Sequence, residues 1–221
     1  MGSPENDPQR YADENQVSVT LTQGFWLMET ECWQKLWEAV DGAGLDWENG
    51  RGDQYPVYDV SYDDSRSFAG KVMKHLRDSG QLDSGWMVTL PTSAQWEYAA
   101  RAGSTTRYCY GDDDGRLAEY AWYKDNSGGT NHPVGTKRAN AWGLHDMHGS
   151  VWEWCLDVWE NPQSGGTDPM GPKEGSDRVY RGGSWNDSAG FCRSAFRYGY
   201  TPGLRFDALG FRLSLVPSRG G

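Results

Sequence analysis

The residues of this 221-residue chain whose types could do chemistry are four cysteines, four histidines and several clusters of carboxylates. Cys32, Cys109, Cys155 and Cys192 show no CxxC or knuckle spacing, which argues against a structural zinc centre. They are also too few for a disulfide scaffold of this length, so they read as free thiols of a reducing compartment. His145 and His148, in "HDMH", stand three residues apart, a spacing that directs two imidazoles to one metal only inside a helix. Gly143 and Gly149 flank the pair and oppose a helix there, so packing or surface imidazoles are expected. The acids of "DDD" at 112–114 and "DDS" at 63–65 lack the EF-hand spacing for calcium and read as a turn and a helix start. "GGSW" at 182–185 lacks the G-x-S-x-G elbow of a serine nucleophile, so hydrolase chemistry has no support.

The elements that must position these groups follow from periodicity. "NQVSVTLTQGFWLM" (15–28) alternates Val17, Val19 and Leu21 with polar residues and predicts a half-buried strand. A helix is expected next, capped by Thr30, with Cys32, Trp33, Leu36, Trp37 and Val40 on one face and a stop at Gly42; a Gly-, Asp- and Asn-rich loop follows over 41–56. "SYDDSRSFAGKVMKHLRDSG" carries early acids, Phe68, Val72 and Leu76 at four-residue intervals, late basic residues and Gly80, and is the clearest helix of the chain. In "LPTSAQWEYAARAG", Thr92 and Gln95 have capping-box spacing and Gly103 ends the element. Beyond Gly103, regular periodicity fades for about 75 residues, a length that implies missed short strands or functional loops. "RVYRGGSW" (178–185) and "LGFRLSL" (209–215) read as strands, whereas "YGYT" and "GLRFDA" alternate too poorly to pack on one face.

Composition bounds the class. Twelve Trp and 29 Gly in a chain that is 37% hydrophobic describe a turn-rich protein with an aromatic core. A net charge of −10 opposes nucleic-acid and anionic-membrane partners, which need clustered Lys and Arg. No apolar run approaches a membrane span and no charged-then-apolar leader opens the chain, so a soluble protein is expected, cytoplasmic or displayed on a cell or phage surface. Residues 1–15 are polar and proline-bearing and are expected to be disordered, with Met1–Ser3 as an added leader. Residues 16–221 read as a single domain.

"LPTSAQWEYAARAG", "NAWGLHDMHGSVWEWCLDVW", "RVYRGGSW" and "LGFRL", in that order, resemble the formylglycine-generating enzyme (sulfatase-modifying factor) family over roughly residues 16–215. The resemblance implies an α+β fold, a loop-rich variant of the C-type lectin fold. Oxidising members of that family hold copper with two cysteines just after the G-G-S-aromatic strand, and soft thiolates suit Cu(I). Here Cys192 matches the second cysteine, but Asp187 stands at the first, and a lone carboxylate does not replace a thiolate. Iron-dependent relatives need an upstream histidine cluster, and only His75 precedes residue 132. Some members bind calcium around the W-E-W motif, which makes Glu153 a candidate ligand; Ser150 replaces the usual Asn nearby. A copper oxidase of this type, or a degenerate regulatory relative, is the alternative reading.

"GGSWNDSAGFCRSAFRYGYTPGLRFDALGFRL" resembles the variable proteins of diversity-generating retroelements more closely still. In those proteins template adenines are mutated, typically in AAC codons, so diversified positions hold only residues encoded by NNC. The resemblance assigns a fixed frame to Gly182, Gly183, Ser184, Trp185, Cys192, Arg193, Ser194, Ala195, Arg197, Pro202, Arg205, Leu209, Gly210, Phe211 and Arg212. It assigns ligand contact to Asn186, Asp187, Ser188, Gly190, Phe191, Phe196, Tyr198, Gly199, Tyr200, Thr201, Leu204, Phe206, Asp207 and Ala208, within a variable region at 186–208. None of the second set is Lys, Glu, Gln, Met or Trp, the types that NNC excludes. Its mixture of aromatic and small polar residues also has the composition of a paratope. The fixed arginines at 193, 197, 205 and 212 are expected to anchor loop backbones, and Cys192 to be a buried packing residue. The implied protein is a non-catalytic binder of a protein or cell-surface target. It needs no cofactor apart from calcium at Glu153, if any.

Overall fold

The structure is a computed structural model that describes residues 1–41 and 45–218. Its strands are β1 (Val19–Thr20), β2 (Trp26–Leu27), β3 (Trp86–Thr89), β4 (Trp152–Val158), β5 (Gly166–Thr167), β6 (Arg178–Arg181), β7 (Arg197–Tyr200), β8 (Leu209–Gly210) and β9 (Ser214–Pro217). The helices are α1 (Gln34–Asp41), α2 (Tyr62–Asp78), α3 (Ser93–Arg101) and α4 (Leu117–Tyr120), with a 3-10 turn at Ala189–Cys192.

Local chemistry explains the two long helices. Ser61 and Thr92 each accept a bond from the backbone N–H three residues on, and the side-chain oxygens of Asp64 and Gln95 accept one from the cap's own backbone N–H, so both are capping boxes. Asp63 and Asp64 sit at the positive end of α2, and His75 and Arg77 at its negative end. α1 begins at Gln34 rather than beside Thr30, because Cys32 donates its backbone N–H to Phe211 O (2.9 Å) and Trp33 bridges to Pro56. Its expected stop, Gly42, lies outside the described residues.

Two sheets carry the core. One has the order β2-β9-β3 and is antiparallel; the other has the order β7-β6-β4-β8, with only the β4–β8 pairing parallel. A small parallel pair joins β1 and β5. Between the sheets and α1–α2 lies an aromatic cluster in which Trp37 stacks on Phe68 at 4.8 Å and Phe211 meets Phe68 edge-on at 5.6 Å. The single strand expected over 15–28 is split into β1 and β2, and "LGFRLSL" is divided between β8 and β9. β4 escaped the sequence pattern because it is central and buried on both faces, so it has no alternation to read.

Two further expectations are corrected. "RYGY" is strand β7, despite its poor alternation. It lies at the sheet edge and faces solvent with Tyr198 and Tyr200, so its pairing to β6 does not depend on a second buried face. Residues 1–15 are ordered against the domain: Ser3 and Glu14 are buried, and Gly2 N–H donates to Glu97 Oε1 (2.8 Å). Composition misreads this segment because Glu14 is the counter-ion of a buried guanidinium. It takes two bonds from Arg193, at 2.5 and 2.7 Å, with both side chains excluded from water.

Candidate functional site

The expected frame folds into a cradle for the segment 186–208. β6 delivers Arg181, whose guanidinium donates to the carbonyls of Ser194, Ala195 and Phe196 (2.8–3.2 Å) and to Glu97 (2.6 Å). Arg193 grips Glu14 and Gly190 O, Arg197 donates to Asp13 O and Glu160 O, and Arg212 holds Glu153 together with the carbonyls of Met28, Glu29 and His145. Arg205 departs from expectation: it is exposed and pairs with Asp64 at 2.6 Å instead of tying a loop backbone. Arg181 was missed because a single arginine in a strand carries no pattern.

Burial separates the two residue sets. Every frame residue is buried except Pro202 and Arg205, and every residue of the contact set is exposed or half-buried except Phe196 and Ala208. Gly183 must be glycine, since its φ is +73° and a Cβ would lie 2.7 Å from Cys192 Sγ. Gly190 has open space around it, whereas a Cβ on Gly199 would lie 2.4 Å from the indole of Trp159. Gly199 is therefore a packing position, and Gly190→Val is expected to leave the melting temperature within about 2 °C while Gly199→Val lowers it by 5 °C or more, a difference of roughly 1–3 kcal/mol.

The contact residues surround a cavity of about 270 Å3. Phe191, Phe196, Tyr198 and Phe206 line it with Asn186, Asp187, Asp207 and Ala208; the frame adds Ser184, and strands β4 and β6 add Trp152 and Tyr180. Rings run continuously along the wall: Phe191 to Phe196 (5.0 Å), Phe196 to Trp152 (5.8 Å), Trp152 to Tyr180 (5.1 Å) and Tyr180 to Tyr198 (5.7 Å). Tyr11 stacks on Phe191 at 6.1 Å and extends the apolar rim, a contribution no local motif announces. Phe196 belongs to the wall and core at 4% exposure, and Ala208 is buried, so both correct the expectation of free contact groups. Ser188, Tyr200, Thr201, Gly190, Gly199 and Leu204 lie outside the cavity lining, on the same segment. A larger groove of about 630 Å3 lies elsewhere, lined by Phe25, Trp26, Tyr98 and Trp142; its one carboxylate, Glu97, is already held by Arg181 and Arg101.

Asp187, at the position of the missing cysteine, accepts bonds from Trp152 Nε1 (2.8 Å) and Ser184 Oγ. Burial raises its carboxyl above the ordinary value, and the bonds from Ser184 and Trp152 oppose the shift. Cys192 is fully buried, and burial pushes its thiol well up, with Asp187 adding to the shift. One buried thiol beside a hydrogen-bonded carboxylate does not fit the two-thiolate copper site of the oxidising relatives. Glu153 does not fit calcium either, because its oxygens take Arg212 (2.7 Å each) and Trp96 Nε1 (2.8 Å). Among the described residues no group of three or more His, Cys, Asp or Glu could hold a metal ion. The four cysteines are unpaired.

The two histidines point apart in function. His145 Nδ1 meets Lys137 O at 2.7 Å, while His148 Nε2 accepts from Cys109 N–H (3.1 Å), leaving Nδ1–H to donate to Cys192 O (2.9 Å). Burial pushes the His148 pKa down to about 4 from 6.5. The folded-state pKa is the lower one, so this histidine's contribution is intact above pH 6.5 and is lost as pH falls toward 4. Asp157, raised to about 6 by burial, acts in the opposite sense and favours the fold as pH drops. His148→Gln is expected to cost roughly 1–2 kcal/mol at pH 7 and to flatten the acid limb of the stability curve between pH 6.5 and 4. Melting curves parallel to those of the parent across that window would contradict it.

The sequence profile of the sulfatase-modifying factor enzyme 1-like domain matches residues 1–215. The formylglycine-generating enzyme of Streptomyces coelicolor is 36% identical over 195 residues, covering 80% of this chain and 57% of that protein. The corresponding enzyme of Thermomonospora curvata is 32% identical over 210 residues, and the match covers 64% of its length, so this chain spans less than two thirds of these relatives. Among solved structures, Treponema denticola variable protein 1 superposes with a TM-score of 0.87 at 31% identity, covering 98% of this chain and 92% of that one. PvdO from Pseudomonas aeruginosa superposes at 0.83 with 26% identity, covering 98% and 90%.

Proposed function

The chain belongs to the sulfatase-modifying factor enzyme 1-like family, with its loop-rich, C-type-lectin-like α+β fold, and on that premise we propose that it is a non-catalytic ligand-binding protein. In this reading the surface at 186–208 is diversified by retroelement adenine mutagenesis. One observation carries the proposal: a buried, arginine-clamped frame alternates along a single segment with residues that face solvent around one aromatic cavity. An oxidase has no need of that alternation, whereas a scaffold that must tolerate exchange at its tips requires it. The likeness to a variable protein over nearly the whole chain supports the same reading.

The target is proposed to be a protein or cell-surface structure, because rigid aromatics interleaved with small polar residues suit such surfaces. Among the described residues no helix is long and apolar enough to cross a membrane. Sequencing the DNA around the gene tests the proposal. The expected result is a near-identical repeat that differs at adenines of the template, together with a reverse-transcriptase gene. Absence of both sinks the diversification reading, and copper-dependent oxidation of a cysteine peptide that Cys192→Ala abolishes would replace it with the enzymatic one.

A further inference from the structure

We propose that the cavity at 186–208 receives a cationic side chain, a lysine or arginine presented by a protein target; this rests on the binding reading above and specifies its ligand. The wall is a run of aromatic rings from Phe191 to Tyr198, and ring faces attract cations as well as apolar stems. Two carboxylates, Asp187 and Asp207, line the same cavity, and no Lys, Arg or His is among its lining residues.

Both carboxylates are oriented by neighbouring donors without being consumed. Asp187 uses Oδ2 for Trp152 and Ser184, and Asp207 uses Oδ2 for Asn49 Nδ2 (2.7 Å). Among the described residues neither Oδ1 accepts a hydrogen bond. The nearest fixed cations leave the two oxygens unbonded: Arg205 is paired with Asp64, and the exposed Lys124 donates its backbone N–H to Asp187 O (3.0 Å) while its ammonium acts on the Asp187 carboxylate only through space, with no hydrogen bond or ion pair between them. Asp59 adds negative charge near Asp207, with Arg205 as its nearest counter-charge, and the whole chain carries −10. A lysine or arginine stem would lie along the rings while its head reaches the two free oxygens. Each aspartate is one adenine substitution from an AAC asparagine codon, so the preference belongs to this sequence rather than to the scaffold.

The test uses the full chain and blocked amino-acid probes. N-acetyl-arginine methylamide, N-acetyl-lysine methylamide and the neutral N-acetyl-norleucine methylamide are titrated while the indole N–H resonance of Trp152, the donor to Asp187, is followed by NMR. The cationic probes are expected to bind roughly tenfold more tightly than norleucine, an advantage that Asp187→Asn and Asp207→Asn each reduce severalfold and that Asp53→Asn, on an exposed pair with Lys35 outside the cavity lining, leaves intact. Melting temperatures of the asparagine variants verify folding. Equal or tighter binding of norleucine overturns the cationic ligand, and so does the absence of any shift. A parallel panning of random twelve-residue peptides against the parent and a Tyr198→Ala/Tyr200→Ala variant separates the two ideas. Peptides that lose binding in the variant but lack Lys and Arg leave the binding surface standing without its cationic ligand, and no face-dependent peptide removes both.

Discussion

Replacing Arg212 with Met is expected to be the most damaging single change in the scaffold, with a loss of about 3–5 kcal/mol. Arg212 is fully buried and is bonded to both oxygens of Glu153 and to three backbone carbonyls, so its removal strands a carboxylate and several acceptors at once. Glu31 and Asp146 depend on the same guanidinium. Burial raises both carboxyls above the ordinary range and Arg212 pulls each of them back. Without it their folded-state pKa values rise further, and a raised carboxyl favours the fold at low pH and loses that contribution as pH rises. The destabilisation by Arg212→Met is therefore expected to be larger at pH 8 than at pH 5. Urea melts at the two pH values measure it, and a loss under about 1 kcal/mol at both would show that the clamp is dispensable. Against a typical total stability of 5–15 kcal/mol, the expected loss leaves little margin at physiological temperature.

The second large effect divides one short stretch into two classes. Phe196→Ala is expected to cost about 3–5 kcal/mol, whereas Tyr198→Ala and Tyr200→Ala each cost less than about 1 kcal/mol. Phe196 is 4% exposed and meets Trp152, Phe191 and Tyr11, while Tyr198 and Tyr200 are 49% and 48% exposed at the sheet edge. The carbonyl of Phe196 is also one of those held by Arg181, so its backbone cannot retreat to fill the void. Stability measured for the three variants decides the matter, and near-equal losses would mean that the segment is core throughout.

How much of this was legible in the sequence depends on the range of the interactions. The capping box of α3 at Thr92 and Gln95 is local and was read to the residue, and the early acids and late basic residues of α2 were read as well, although its Ser61–Asp64 box was not. The frame of 182–212 was legible from its resemblance to a known pattern, and burial follows that pattern except at Pro202, Arg205, Phe196 and Ala208. What could not be read is what distant segments supply. Glu14 becomes an ion-pair partner 179 residues from Arg193, and Trp159 blocks a side chain at Gly199. The cavity walls Trp152 and Tyr180 come from β4 and β6, and β4 has no periodicity because both its faces are covered. Glu153 looked available for calcium only because the sequence does not reveal that Arg212 occupies it.

The central claim is that a fixed frame tolerates exchange at the tips while binding changes with them. The most direct measurement is a library in which Asn186, Ser188, Tyr198, Tyr200, Thr201, Leu204 and Phe206 are exchanged together among NNC-encoded residues. Most members are expected to melt within about 4 °C of the parent and to yield binders to unrelated proteins that differ from member to member. If most members fail to fold, or if the folded ones share one binding behaviour whatever the seven residues are, the account is contradicted.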